Sequence, residues 1–352
     1  MYELDKIAKK PQRVRKSSRL FAAALSATLL GLLPAQEAWA KCTATMEPVN
    51  FGNVDWLDGR SWTTQAQVTV TCEKTAVQWS PQKFNVCLTA DGGRVTPRAL
   101  DPRRMCRNGS CASGILTYNL YGDPNHTDIL TSTSQHIGKS INKVIQVDSI
   151  FSPKSIMFPI YAKLTPNQTN VVPGNYTASF ASGSTAMAFY PTDEDTPRAC
   201  ASNLFGNLRF EFDVSATVIK KCNITAPQNI DFGTVGSLTT NLQGQTSLGV
   251  TCTKDTPYNI GLMPSNRNAN GAGEMASKKA ENTDRVRYQL RSQAGMNGKA
   301  WGNTATSQAV GNGVGGTGTG MQQNHNIYAT IDSVNNYRAG EYRDKVIINV
   351  HY

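Results

Sequence analysis

The chain has 352 residues, 39% of them hydrophobic and 17% charged, with a formal net charge of +10. That length accommodates two domains of ordinary size, and no apolar stretch is long enough to cross a bilayer as a helix. The charge points to nucleic acid only until its location is read, because much of it sits in the first 40 residues.

Those 40 residues read as a signal peptide. Basic residues from Lys6 to Arg19 precede the apolar run LFAAALSATLLGLLPA (Leu20 to Ala35), and AWA (Ala38 to Ala40) supplies the small residues of a cleavage site. A retained anchor is the competing reading, but the run is 16 residues with Pro34 inside it, short for a span. Cleavage after Ala40 removes seven Lys/Arg and three Asp/Glu, so the net charge falls to +6 and nucleic acid is not an expected partner. The expectation is an exported protein. All eight cysteines (Cys42, Cys72, Cys87, Cys106, Cys111, Cys200, Cys222, Cys252) lie in the exported part. An even count in an oxidising compartment argues for disulfides. None of the four histidines stands in a zinc spacing, and no cofactor or metal is expected.

From Cys42 onward the chain is a series of short Val/Ile/Tyr/Phe/Thr segments bounded by Gly, Pro, Asn or Asp, with no long helical period. CTATMEPVNFGNV leads to AQVTVTC, which ends at Cys72. The connection EKTAVQWSPQ (Glu73 to Gln82) follows, then the turn-rich CRNGSC (Cys106 to Cys111) and GILTYNLYGD (Gly114 to Asp123). After a long stretch from Gly122 to Pro153 come IMFPIYAKLTPNQTNVVPGNYTASF and an excursion over 181–207. The first half closes with RFEFDVSATV (residues 209–218). There Phe210, Phe212, Val214, Ala216 and Val218 alternate with polar residues as in a half-buried strand.

The pattern then begins again. CNITAPQNIDFGTV at Cys222 matches the segment at Cys42, and TSLGVTC ends at Cys252, so the two cysteine pairs have the same spacing of 30 residues. One disulfide per copy is expected, Cys42–Cys72 and Cys222–Cys252, each worth roughly 3–4 kcal/mol in the chain-entropy model. CRNGSC is a segment that a local Cys106–Cys111 bridge can close, leaving Cys87 with Cys200, although four cysteines allow three connectivities. VRYQLRSQAG (Val286 to Gly295) and HNIYATIDSVNNYRAGEYRDKVIINV parallel the later segments of the first copy. Two consecutive β-sandwiches follow, an all-β chain with residues 41–219 in the first domain and 220–352 in the second.

The copies end differently. GEYRDKVIINVHY places Tyr342, Val346, Ile348, Val350 and Tyr352 on one apolar face, and no equivalent of RFEFDVSATV follows it. The second sandwich is therefore expected to lack its final strand, leaving an apolar groove and an unpaired edge that a strand from another chain can fill. The competing reading is that an early segment of the second copy completes it.

The combination of Cys…FG…TC, YNLY, AWGN (Ala300 to Asn303) and the closing AGEYRDKVIINVHY resembles the spore coat protein U domain family. That family includes subunits of archaic, Csu-type chaperone–usher pili. The resemblance covers nearly all of residues 42–352 in two copies, the second closer than the first, which lacks the WG pair and has Ala178 where the second has Asp344. It implies an immunoglobulin-like fold and donor-strand complementation, in which each subunit's N-terminal extension fills the groove of the next subunit outward. Cleavage after Ala40 leaves only Lys41 before Cys42, so the chain accepts a strand without donating one. The resemblance thus implies a two-domain pilus-tip adhesin at the cell surface, promoting attachment and biofilm formation. Its implied partners are a periplasmic chaperone, an outer-membrane usher, an adjacent pilin, and an abiotic or host surface.

Surface contact is expected at the far pole of the first domain, through Val77, Trp79, Ile129, Leu130, Ile150, Phe151, Met187, Phe189 and Tyr190, since apolar residues on loop tips commonly bind something. The bland alternative folds these side chains back over the core. Enzyme readings are poor. GNGVGGTGTG (Gly311 to Gly320) lacks the Gly-Lys-Ser/Thr of a phosphate loop and reads as a flexible loop, and PTDEDTP reads as a solvated turn. A non-adhesive cap or assembly initiator, and a free secreted carbohydrate-binding or hydrolytic sandwich, are the competing functions.

Overall fold

The computed structural model describes residues 40–352 apart from 75–80, 131–139, 169, 182, 201–207 and 335. Among the described residues every regular element is a strand. The first half contains β1 (Ala40–Met46), β2 (Val49–Val54), β3 (Thr63–Lys74), β4 (Gln82–Ala90), β5 (Arg103–Arg107) and β6 (Ser110–Tyr121). It continues with β7 (Ile141–Val147), β8 (Lys154–Leu164), β9 (Gly174–Phe180), β10 (Thr185–Thr192) and β11 (Phe212–Val218). An eight-stranded sheet of order β1-β3-β8-β6-β5-β9-β11-β2 and a three-stranded sheet of order β10-β4-β7 share one core, to which Val68, Phe84, Leu116, Phe158 and Phe180 contribute.

The second half contains β12 (Cys222–Thr225), β13 (Thr239–Cys252), β14 (Pro257–Pro264), β15 (Ala272–Ser277), β16 (Arg285–Arg291), β17 (Val314–Thr317), β18 (Gln322–Val334), β19 (Tyr342–Arg343) and β20 (Val346–His351). Its sheets run β12-β13-β18-β16-β15-β19 and β17-β14-β20, around a separate core that includes Leu248, Ile260, Leu290, Trp301 and Ile327. Two β-sandwiches follow one another in the chain, joined by the three residues between β11 and β12.

Strand register shows which residues correspond. Cys42 faces Cys72 and Cys222 faces Cys252 across neighbouring strands, and both pairs are disulfide-bonded. Val68–Phe158 matches Leu248–His325, Leu120–Ala162 matches Leu290–Ala329, and Ala90–Thr185 matches Pro264–Val346. In this frame β12 through β20 each have a counterpart in the first sandwich. Among the described residues β2 and β11 have none in the second.

Three sequence expectations change. The segment carrying Met187, Phe189 and Tyr190 is not a loop tip: Thr185–Thr192 forms β10, paired along its whole length with β4, and Ala186, Met187 and Ala188 are buried. The closing segment of the second copy is not one face of one strand. β19 pairs with β15 in one sheet and β20 with β14 in the other, so the chain crosses between sheets at Asp344 and Lys345. The Gly-rich stretch over 311–320 is not a free loop, because β17 within it pairs with β14.

Candidate functional site at an open sheet edge

The first sandwich shows what closes this fold. β11 runs antiparallel to β9, with Phe212 facing Phe180, Val214 facing Ala178 and Ala216 facing Tyr176, and parallel to β2 on its other side. Its alternation puts Phe210, Phe212, Val214, Ala216 and Val218 in the core, all buried, while Glu211 and Asp213 face solvent. Phe212 stacks on Phe180 with ring centroids 4.3 Å apart. Five such side chains contribute on the order of 8–10 kcal/mol of gross burial energy. Ahead of the strand, Leu208 accepts a hydrogen bond from the Met187 amide and the Phe210 amide donates to Thr185 Oγ1 at 3.0 Å, so the same segment also covers the start of β10.

The second sandwich presents the same frame without that strand. The FG motif that turns at positive φ in both copies (Gly52 at 66°, Gly233 at 72°) lies in β2 in the first, where Val49, Phe51 and Val54 are buried. In the second, residues 226–235 form no strand; Ile230 and Phe232 are half-buried and Val235 is exposed. The physical reason is pairing. Among the described strands β2 has β11 as its one neighbour, and with no β11 counterpart the matching segment has no ladder to join.

β19 and β20 are edge strands of their two sheets. Tyr342 and Ile348 pack half-buried against the core, whereas their counterparts Tyr176 and Met187 are essentially inaccessible; Val350 is half-buried as its counterpart Phe189 is. Val346, Ile347 and Tyr352 are exposed at 37%, 52% and 43%. Together they form an apolar edge on whose outer side no described strand is paired, the kind that accepts an added strand.

A polar pair marks its floor. Tyr288 donates to Asp344 Oδ2 at 2.6 Å, and the Lys345 amide donates to Asp344 Oδ1 at 2.7 Å. Burial, then the contact with Asp344, holds the Tyr288 hydroxyl well above the ordinary tyrosine range, so it remains a donor. Sequence reasoning noticed Asp344 only as a departure from Ala178. The tyrosine on a different strand carried no signal.

At the far end of the first sandwich, register brings together the end of β3, the start of β4, the β7–β8 connection and the end of β10, because Cys72 faces Lys154, Gln82 faces Val147 and Lys83 faces Thr192. Phe151, in the β7–β8 connection, is 87% exposed. Ile150 is half-buried nearby. Other residues expected to touch a surface are turned inward. Leu130 and Met187 are in the core, and Phe189 packs edge-on against Phe84 at 5.9 Å. Tyr190 is half-buried with its hydroxyl taking a 2.6 Å hydrogen bond from Asn85, and Ile129 is half-buried beside the bridge to Tyr121. Val77 and Trp79 lie outside the described residues.

Cys87–Cys200 ties the segment after β10 back to β4, and the Asn85 amide bonds the Arg198 carbonyl at 3.1 Å. Cys106–Cys111 closes the β5–β6 hairpin. Two of the three acids of PTDEDTP pair with cations, Asp195 with Lys83 at 2.7 Å and Glu194 with Arg198.

One buried group escaped the sequence reading altogether. Arg103 is fully buried, donating to the carbonyls of Asp91, Leu100, Ala90 and Leu130. Burial lowers its pKa to about 10, which leaves it charged at neutral pH, and four carbonyls take the place of its water. It fastens the β4–β5 connection rather than forming a site.

The model of the spore coat protein U domain family matches residues 29–181 and 208–349. Among solved structures, the CsuC–CsuE chaperone–tip adhesion subunit pre-assembly complex from archaic chaperone–usher Csu pili of Acinetobacter baumannii shares 16% identity. The alignment covers 89% of this chain and 100% of that one, with a TM-score of 0.45. The CupB6 tip adhesin from Pseudomonas aeruginosa shares 10% identity over 89% of this chain and 94% of that one, with a TM-score of 0.37. None of the curated proteins compared matches the sequence. With a family match that falls once on each half of a sandwich-built chain, the protein belongs to the spore coat protein U domain family.

Proposed function

We propose that this chain is the two-domain tip adhesin of a chaperone–usher pilus, with an adhesive first sandwich over 41–219 and a strand-accepting second sandwich over 220–352. The observation that carries the reading is the contrast of the edges: β11 closes the first sandwich in cis, while no described residue pairs with the outer edge of β19 and β20. A periplasmic chaperone fills that edge during export, and a strand from the adjacent pilin replaces it as the usher assembles the fibre. Cleavage after Ala40 puts the new N-terminus at β1, which is already paired with β3 and has no length left to donate. The chain then stands at the outer end of the fibre, on the cell surface, and acts by binding rather than catalysis.

The exposed Phe151 supports adhesion through the far pole of the first sandwich. The test is a strain carrying Phe151→Asp. Pili are expected to assemble with the protein at the tip while attachment and biofilm formation drop several-fold. Attachment equal to the parent strain, with pili present, assigns the chain a capping role instead.

A further inference from the structure

We infer that Asp344 selects the strand that the open edge accepts, favouring a strand with a hydroxyl or amide side chain opposite it and rejecting an all-apolar strand such as the chain's own β11. The inference rests on the strand-accepting reading and names its partner more closely.

Register places Asp344 where the first sandwich has Ala178, since Arg343 faces Ala276 as Thr177 faces Cys106. Ala178 is buried directly opposite Val214 of β11, so hydrocarbon meets hydrocarbon there. A strand entering the second sandwich in the same register brings its corresponding side chain over the Asp344 carboxylate. The carboxylate is held there by design of its neighbours. Tyr288 on β16 reaches it by lying across Gly273 on β15; a Cβ at Gly273 would stand 2.1 Å from Tyr288 Cζ. The first sandwich has Tyr118 and Arg103 at these two positions, and the Tyr118 hydroxyl has no hydrogen-bond partner among the described residues. The tyrosine is thus present in both sandwiches, but only the second gives it a carboxylate to hold.

Covering Asp344 removes its water. A carboxylate offers about four acceptor sites, and two are taken, by Tyr288 and the Lys345 amide. A valine at the facing position leaves the rest unsatisfied in a dry groove, whereas a threonine of nearly the same shape supplies a hydroxyl. The discrimination therefore does not depend on the apolar residues at the other inward positions. It also keeps the β11 segment of one copy from closing the second sandwich of another.

The experiment uses the full exported chain, residues 41–352, and two synthetic peptides: LRFEFDVSATVI, which reproduces residues 208–219, and the same peptide carrying V214T. Calorimetric titration is expected to show the threonine peptide binding about 10-fold tighter. D344A is expected to abolish or reverse that preference. Equal affinity of the two peptides for the parent chain, or an undiminished preference in D344A, overturns the selectivity. Binding of neither peptide overturns both the selectivity and the open edge beneath it. The parent-chain comparison stands alone should D344A fail to fold.

Discussion

The two sandwiches are built on one strand plan and differ, among the described residues, by β11 and the β2 that pairs with it. In the first, β11 covers β9 and the start of β10, and brings the FG segment into a ladder as β2. In the second, the same FG segment is unpaired and the residues over 342–352 are half-buried or exposed. A single missing strand therefore opens two neighbouring features at once, an apolar floor and a hydrogen-bonding edge. The general lesson is that two copies of one fold in a chain can be read against each other, the complete copy showing which strand the other is without.

The largest expected effect breaks the comparison on its closed side. Phe212→Asp buries a carboxylate between Phe180 and Phe210 without a partner and should destabilise the first sandwich by about 3–5 kcal/mol. The matching change on the open side, Val346→Asp, should alter the melting of the free chain by no more than about 0.5 kcal/mol, because that residue is already exposed. Thermal melts of the two variants should therefore diverge. Similar losses in both would mean that the second sandwich is closed.

A smaller effect comes from polar substitution inside the second core. Where the first sandwich has Phe84 and Phe158, register gives the second Tyr258 and His325, whose hydroxyl and Nε2 lie 2.8 Å apart. Burial pushes the pKa of His325 below the ordinary value of 6.5, so the folded state holds it neutral. The unfolded chain takes up the proton more readily as pH falls through that value. Stability from this group is therefore complete above about pH 6.5 and declines below it. His325→Phe should flatten the stability profile of the second sandwich between pH 5 and 7, and leave the first unchanged. A profile unaltered by the substitution would remove His325 as its cause.

Much of this was legible from residues close together in sequence. The cysteine spacing, the FG turns and the alternation of Phe210 to Val218 are local signals, and the absent counterpart of that strand was visible by comparing the copies. What was hidden depends on neighbours that only folding supplies. Met187 looked like a loop residue because nothing in its own segment reveals pairing with Leu88 on β4. The crossing between sheets at Asp344 and Lys345 is a change of partner, not of alternation. Arg103 reads as a surface cation until the carbonyls of Ala90, Asp91 and Leu130 join that of nearby Leu100 around it. The Tyr288–Asp344 pair spans 56 residues and three strands, with a glycine between them as its only local trace.

Hydrogen exchange on residues 41–352, read residue by residue, tests the central claim most directly. The account predicts strong protection of the amides of β9 on the side that meets β11. It predicts rapid exchange of those amides over 342–351 that point away from β15 and β14, slowing when a complementary strand is added. Protection along 342–351 in the free monomer equal to that of β9 would contradict it, since the second sandwich would then already possess its final strand.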